Sequence, residues 1–159
     1  MSAEVILDAL RASGKKLIFA ESITGGLLVD AFISIPGASD VVLGSEVTYA
    51  SELKVALLGV DEEVLAEKGA VSAEVAIAMA QGVGAVGQAS LDLPAGQVIA
   101  VSTTGNAGPD GEPVGLAYVA IHDGKKTKVH ELRLEGSRAE IRSGVVAQSI
   151  SLLREHLGL

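Results

Sequence analysis

Phe19-Ala20-Glu21-Ser22-Ile23-Thr24-Gly25-Gly26 carries an apolar strand into small polar residues and then into a new apolar-periodic stretch, Leu27, Leu28, Ala31 and Phe32. A strand that turns through glycines into a helix is the repeating step of α/β folds. Gly25 and Gly26 allow positive φ or a close backbone approach. The helix beyond them would aim its first amides back at the turn, an arrangement that favours anions. Ser22 then stands at the mouth of an anion-friendly pocket, and reads equally as a helix N-cap or as a nucleophile.

Upstream, Ser2 followed by Val5, Ile6, Leu7 and Leu10 reads as a capped helix closed by Gly14, and 16–20 as the first buried strand. Downstream, the helix after Gly25 stops near Ile35, before Pro36-Gly37. A second strand covers 41–49. Ser51 is expected to cap a helix that places Lys54 in its first turn and stops at Gly59. Asp61-Glu62-Glu63 opens a short helix ended by Gly69, and Ser72-Ala73-Glu74-Val75 starts a long alanine-rich one reaching about Gly87. The glycines 82, 84 and 87 weaken that helix, and close packing against another helix or a subunit is favoured over a ligand role.

A third strand is read over 97–103, followed by a glycine- and proline-rich loop from Gly105 to Pro113. Strands 114–121 and 127–134 flank His122-Asp123-Gly124-Lys125 as a hairpin, and a final helix spans about 137–157. Strands alternating with helices and then one hairpin imply an α/β domain over 1–159. Its sheet is mostly parallel with one antiparallel member and has helices on both faces. Binding sites in such sheets lie beyond the carboxyl ends of strands, where both glycine-rich turns, Tyr49 and Lys54 converge.

A chain of 159 residues, 48% of them hydrophobic, is large enough to build a core without staples. It has no cysteine, which removes disulfides, thiolate metal sites and cysteine nucleophiles and is compatible with a reducing cytosol. Glu4, Asp8 and Arg11 interrupt the first apolar stretch, so neither a signal peptide nor a membrane span is expected, and a cytoplasmic location is. The formal charge of −8, with basic residues clustered only at Lys125, Lys126 and Lys128, argues against nucleic acid as a partner. With two Phe, two Tyr and no Trp, a base-stacking platform is not expected either.

Hydrolysis of an amide or ester without metal or cysteine needs a nucleophile, a base, oxyanion donors and a proton for the leaving group. Ser22 can attack. His122 and His130 flank the hairpin and His156 sits near the C-terminus, which disfavours a Ser-His-Asp triad. Lys54, with apolar neighbours, is the better base, and the N–H groups around Thr24 to Gly26 can hold an oxyanion or a phosphate. Each residue also has an ordinary reading. Lys54 would be solvated, Tyr49 a half-buried core residue, and Arg138 and Arg142 surface partners of Glu135 or Glu140. The loop 104–111 would be a connection or a binding loop.

Several ordered stretches then resemble the C-terminal domain family of the CinA competence/damage-inducible proteins. They are Ala20 to Gly26, Gly44 to Lys54 with Tyr49, Gly69 to Ser72, Thr104-Gly105 with Ala107 to Gly111, Pro113-Val114-Gly115, and Gly136 with Arg138 and Arg142. The similarity covers nearly the whole chain. It implies a three-layer α/β/α sandwich with a mixed five-stranded sheet, and hydrolysis of nicotinamide mononucleotide to nicotinate mononucleotide and ammonia without cofactor or metal.

By that resemblance Ser22 is the nucleophile and Lys54 the base, with Tyr49 beside them. Glu21, Thr24, Gly25, Gly26, Thr104, Gly105, Asn106, Gly108, Arg138 and Arg142 surround the nucleotide, and a helix N-terminus or Arg142 anchors its phosphate. The resemblance and the helix around Gly82 also suggest a homodimer. The chain departs from the family at Ile23, where cysteine is common. It departs again at Asn106, where an aliphatic residue is usual, within a shortened loop. A binding or interaction module without turnover is the competing reading.

Overall fold

The computed structural model describes residues 2–159. In chain order it contains α1 (Ser2–Ala12), β1 (Lys16–Glu21), α2 (Leu27–Ile33), β2 (Val42–Val47), α3 (Ser51–Leu58), α4 (Glu62–Lys68) and α5 (Ala73–Ser90). These are followed by β3 (Val98–Gly105), β4 (Leu116–His122), β5 (Thr127–Arg133) and α6 (Arg138–His156). The cap read for the Ser2 side chain lies outside the described residues.

The five strands lie in the order β2-β1-β3-β4-β5. β1 is parallel to both β2 and β3, β4 runs antiparallel to β3, and β5 antiparallel to β4. This is the mixed sheet expected from the sequence, with only β4 reversed. The period-two alternation of β1 explains the layers. Leu17 and Phe19 face α1, α2 and α6, packing with Ile6, Leu10, Phe32 and Val145. Ile18 and Ala20 face the other way, against Val75, Met79 and Val83 of α5 and Leu58 of α3. Burial on both faces accounts for the unbroken apolar run that marked this strand.

Several boundaries move for local reasons. β3 extends into the expected loop because Thr104 and Gly105 pair with Tyr118 and Ala117 of β4. Ser51 does not cap α3. Ala50 holds that position, its carbonyl accepting from Lys54 N at 3.4 Å, and no side chain caps the helix. The cap read at Ser72 is present, and Ser137 caps α6 in a capping box with Glu140.

Helix α5 runs past Gly87 to Ser90. Its Gly82 packs within this chain: a Cβ there would lie 2.0 Å from the Leu58 carbonyl oxygen. Gly82 therefore serves the contact of α5 with α3 and offers no support for a subunit contact. Among the described residues no helix is long and apolar enough to cross a membrane.

Candidate active site

The carboxyl ends of β1, β2 and β3 lie side by side, because Glu21 pairs with Val47 on one side and with Thr103 on the other. One more rung on each side carries the register past the strands: Ser22 N donates to Thr103 O at 3.0 Å, and Thr48 N to Glu21 O at 3.0 Å. The backbone thus fixes Ser22 beside the segment that leads from β2 into α3.

The period-two pattern turns Glu21 inward on the α2 side. Its carboxylate is fully buried and accepts from Thr24 Oγ1 at 2.6 Å, Gly26 N, Leu28 N and Val29 N, each at 3.0 Å, and Ser45 Oγ at 2.9 Å. Two sequence expectations change as a result. Glu21 is placed to hold the turn and has no lone oxygen facing a ligand. The amide cluster at the start of α2, expected to attract a substrate anion, is already occupied by a side chain of the protein. Thr24 is likewise buried, its hydroxyl also bonded to Thr103 Oγ1 at 2.8 Å, so it braces the turn and does not line the cleft. Gly25 N donates to Ser22 O. Of the amides in this turn, those of Ile23 and Thr24 have no acceptor among the described residues, and because Thr24 is fully buried the Ile23 N–H, next to Ser22, is the candidate oxyanion donor.

Lys54 is the largest departure from what its sequence position suggests. It lies on the buried face of α3 with Leu58 and is only 1% exposed. Its Nζ lies 2.7 Å from Thr48 O, 3.2 Å from Tyr49 O and 3.1 Å from Ser22 Oγ. Among the described residues no carboxylate pairs with it. Burial pushes its pKa below the ordinary lysine value, a trend that Glu52 partly opposes. Ser22 itself is 8% exposed, so its hydroxyl sits at the edge of solvent beside this amine.

The opposite wall comes from α6 and the loop after β3. Arg142, half-buried, donates from Nε to Ile23 O at 2.9 Å and from Nη2 to Thr24 O at 3.1 Å. It clamps the turn after Ser22 and presses on Gly25, where a Cβ would meet Nη2 at 3.0 Å. Arg138, exposed, donates from Nη1 to Gly108 O at 2.6 Å and from Nη2 to Tyr49 Oη at 3.2 Å. Neither arginine pairs with a carboxylate among the described residues, and Glu140 serves the helix cap instead. In a chain with more acids than bases, two unpaired guanidiniums on one helix face mark a local positive potential.

Tyr49 is 64% exposed and is not a core residue. Thr104, expected around a ligand, donates its hydroxyl to Ala70 O at 2.6 Å and is buried. Gly105 gives room to the Ile23 side chain, which a Cβ would approach to 2.8 Å. Asn106 and Gly108 shape the loop around Arg138. Direct contacts therefore tie Lys54 to Ser22, Arg138 to Tyr49, and Arg142 to the turn after Ser22, while Glu21, Thr24 and Thr104 are buried behind these contacts.

Sequence reasoning missed Thr48, Ser45 and Thr103, whose contributions are a carbonyl and two bracing hydroxyls. Only the positions of Thr48 and Thr103 beside Glu21 and Ser22 could have signalled those two; Ser45 lies within β2, opposite Phe19. His122 lies opposite Ala100, toward the other end of the sheet, which separates it from Ser22. Among the described residues no group of His, Cys, Asp and Glu could hold a metal ion.

The model of the family described as CinA C-terminal domain matches residues 1–157. This chain belongs to the CinA C-terminal domain family. It is 41% identical over 158 residues to a CinA-like protein from Sulfurihydrogenibium sp., covering 97% of this chain and 38% of that one. It is 40% identical to a putative competence-damage inducible protein from Clostridium botulinum, covering 97% and 37%. The chain thus spans well under half the length of these curated relatives. Among solved structures, a CinA superfamily protein from Enterobacter cloacae superposes with a TM-score of 0.90 at 26% identity, covering 98% of this chain and 90% of that one. The competence/damage inducible protein CihA from Agrobacterium tumefaciens superposes with a TM-score of 0.86 at 35% identity, covering 99% and 94%.

Proposed function

We propose that this CinA-family domain is an amidohydrolase that converts nicotinamide mononucleotide to nicotinate mononucleotide and ammonia. The observation that carries the reading is the set of neighbours around Lys54 Nζ. A neutral amine has two N–H bonds and one lone pair. Two backbone carbonyls take the first, and Ser22 Oγ, 3.1 Å away, stands where the lone pair can receive its proton. The lowered pKa of Lys54 favours that neutral form.

As Ser22 Oγ bonds to the carboxamide carbon, its proton passes to Lys54 Nζ. The N–H group of Ile23 receives the developing O⁻. Collapse breaks the C–N bond, and the proton on Nζ goes to the leaving nitrogen, which departs as ammonia. Water, losing a proton to the same amine, then attacks the ester and releases the carboxylic acid, which ionises, with the serine hydroxyl restored. General acid–base help of this kind is worth about 10²–10⁴ in rate. Arg138 is the better anchor for the nucleotide phosphate, because it is exposed whereas half-buried Arg142 holds the Ile23 and Thr24 carbonyls.

The test is ammonia release from nicotinamide mononucleotide. Wild type should turn it over, and Ser22→Ala and Lys54→Ala should each lose about 10²-fold or more in kcat while keeping the wild-type circular dichroism spectrum. Absence of ammonia from the wild type would refute the reading. Tight binding without turnover would leave a nucleotide-binding module.

A further inference from the structure

The loop between β3 and β4 is held from within by Asn106. Its backbone is pinned on both sides, N donating to Leu116 O at 2.9 Å and O accepting from Gly115 N at 2.8 Å. Its side-chain Oδ1 accepts from Gly108 N at 3.0 Å, an Asx turn that fixes the peptide between residues 107 and 108. The loop closes tightly around this point. A Cβ on Gly108, whose φ is +75°, would lie 2.8 Å from Val114 Cγ1, and one on Gly111 would lie 2.6 Å from Asn106 Nδ2. From there the chain of contacts leads outward. Gly108 O accepts from Arg138 Nη1 at 2.6 Å, and Arg138 Nη2 reaches across the cleft to Tyr49 Oη at 3.2 Å. No hydrogen bond of Asn106 reaches Ser22 or Lys54.

We propose that Asn106 is a positioning residue for anion binding: it anchors Gly108 in the loop through its amide, the Gly108 carbonyl holds the Arg138 guanidinium toward Tyr49, and that placement sets the preference for a phosphorylated substrate over its uncharged counterpart. A free guanidinium samples many rotamers, whereas one held at Nη1 offers its remaining donors in one direction, and that lowers the ordering cost of binding. The choice of substrate for the test rests on the amidohydrolase reading; the hydrogen-bond chain does not.

The experiment compares nicotinamide mononucleotide with nicotinamide riboside, which lacks the phosphate. Asn106→Ala should raise KM for the mononucleotide about tenfold with kcat changed less than about twofold, and should alter kcat/KM for the riboside less than about threefold. Asn106→Ser, whose hydroxyl can still accept from Gly108 N, should recover most of the loss. In an Arg138→Ala background, Asn106→Ala should add nothing. Equal losses on both substrates, or additive losses with Arg138→Ala, would overturn the proposal. If Asn106→Ala does not fold, Asn106→Gln, whose longer side chain displaces the acceptor, is judged by the same outcomes. Binding without ammonia release would remove the hydrolase reading alone, and calorimetric Kd would then replace KM in every comparison. A wild type without preference for the mononucleotide over the riboside overturns the present proposal whether or not it hydrolyses either.

Discussion

Lys54 is a side chain that normally carries a charge, placed where a charge is poorly solvated, and its chemistry follows from that conflict. As a base it works only when unprotonated. With its pKa held below the ordinary lysine value by burial, kcat/KM should rise with pH along a limb whose midpoint lies below 10.5. A pH–rate profile checks this, and a limb at the ordinary lysine value or no limb at all would exclude Lys54 as the base. Lys54→Arg, which cannot lose its proton in this range, should be as inactive as Lys54→Ala. The residue was visible in the sequence as a lysine in the first turn of a helix, a position that is usually solvated. Its burial was not, because the carbonyls of Thr48 and Tyr49 that receive its N–H groups come from the link between β2 and α3, and no local pattern reports where a link folds. One signal was present: Lys54 shares its helix face with Leu58 one turn later, and that face is the buried one.

At the scale of elements, α2 depends on Glu21. Its seven residues are too few to be stable alone, and a carboxylate from the preceding strand satisfies the amides at its start. Glu21→Ala would leave the N–H groups of Gly26, Leu28 and Val29 without acceptors in a dry environment, at a cost of about 3 kcal/mol or more. Denaturant unfolding measures this, and a loss below about 0.5 kcal/mol, the ordinary surface value, would contradict the capping role. The sequence yields the strands, the hairpin and the helix order because each rests on periodicity and turn residues within a short window. The family resemblance places Glu21 around the nucleotide. Alternation along β1 in fact assigns it to the side of Leu17 and Phe19, where α2 packs. Gly82 packs against another helix, one of the two partners expected for it, and only the assembled fold shows that this partner is α3 at the Leu58 carbonyl.

Across the whole molecule the two ends of the sheet carry different chemistry. The carboxyl end of β1 holds the serine and the buried amine; the far end gathers Lys15, Asp123, Lys128, His130 and His156 around the close of α6. His156 Nδ1 is buried with no partner among the described residues, and Nε2 lies 3.8 Å from Asp123 Oδ2. Burial lowers the His156 pKa, with Lys128, His130 and Lys15 acting in the same direction and Asp123 against. The folded protein therefore binds this proton less readily than the unfolded chain, so stability falls as pH drops from 6.5 through the lowered pKa. Between about pH 7.5 and about pH 5.5 Tm should decrease by about 2–4 °C for each kcal/mol lost, and the decrease should be smaller in His156→Gln. Equal slopes in the two proteins would contradict this. At the other end of the sheet, the carboxylate of Glu21 has a consequence for selection by length. Its bonds to the amides of Gly26, Leu28 and Val29 use up the start of α2, so a negative group held close to Ser22 finds no free helix N-terminus there. Under the proposed hydrolase reading, a phosphorylated amide resting at Ser22 would have to carry its negative group out to Arg138, and selection by length would follow.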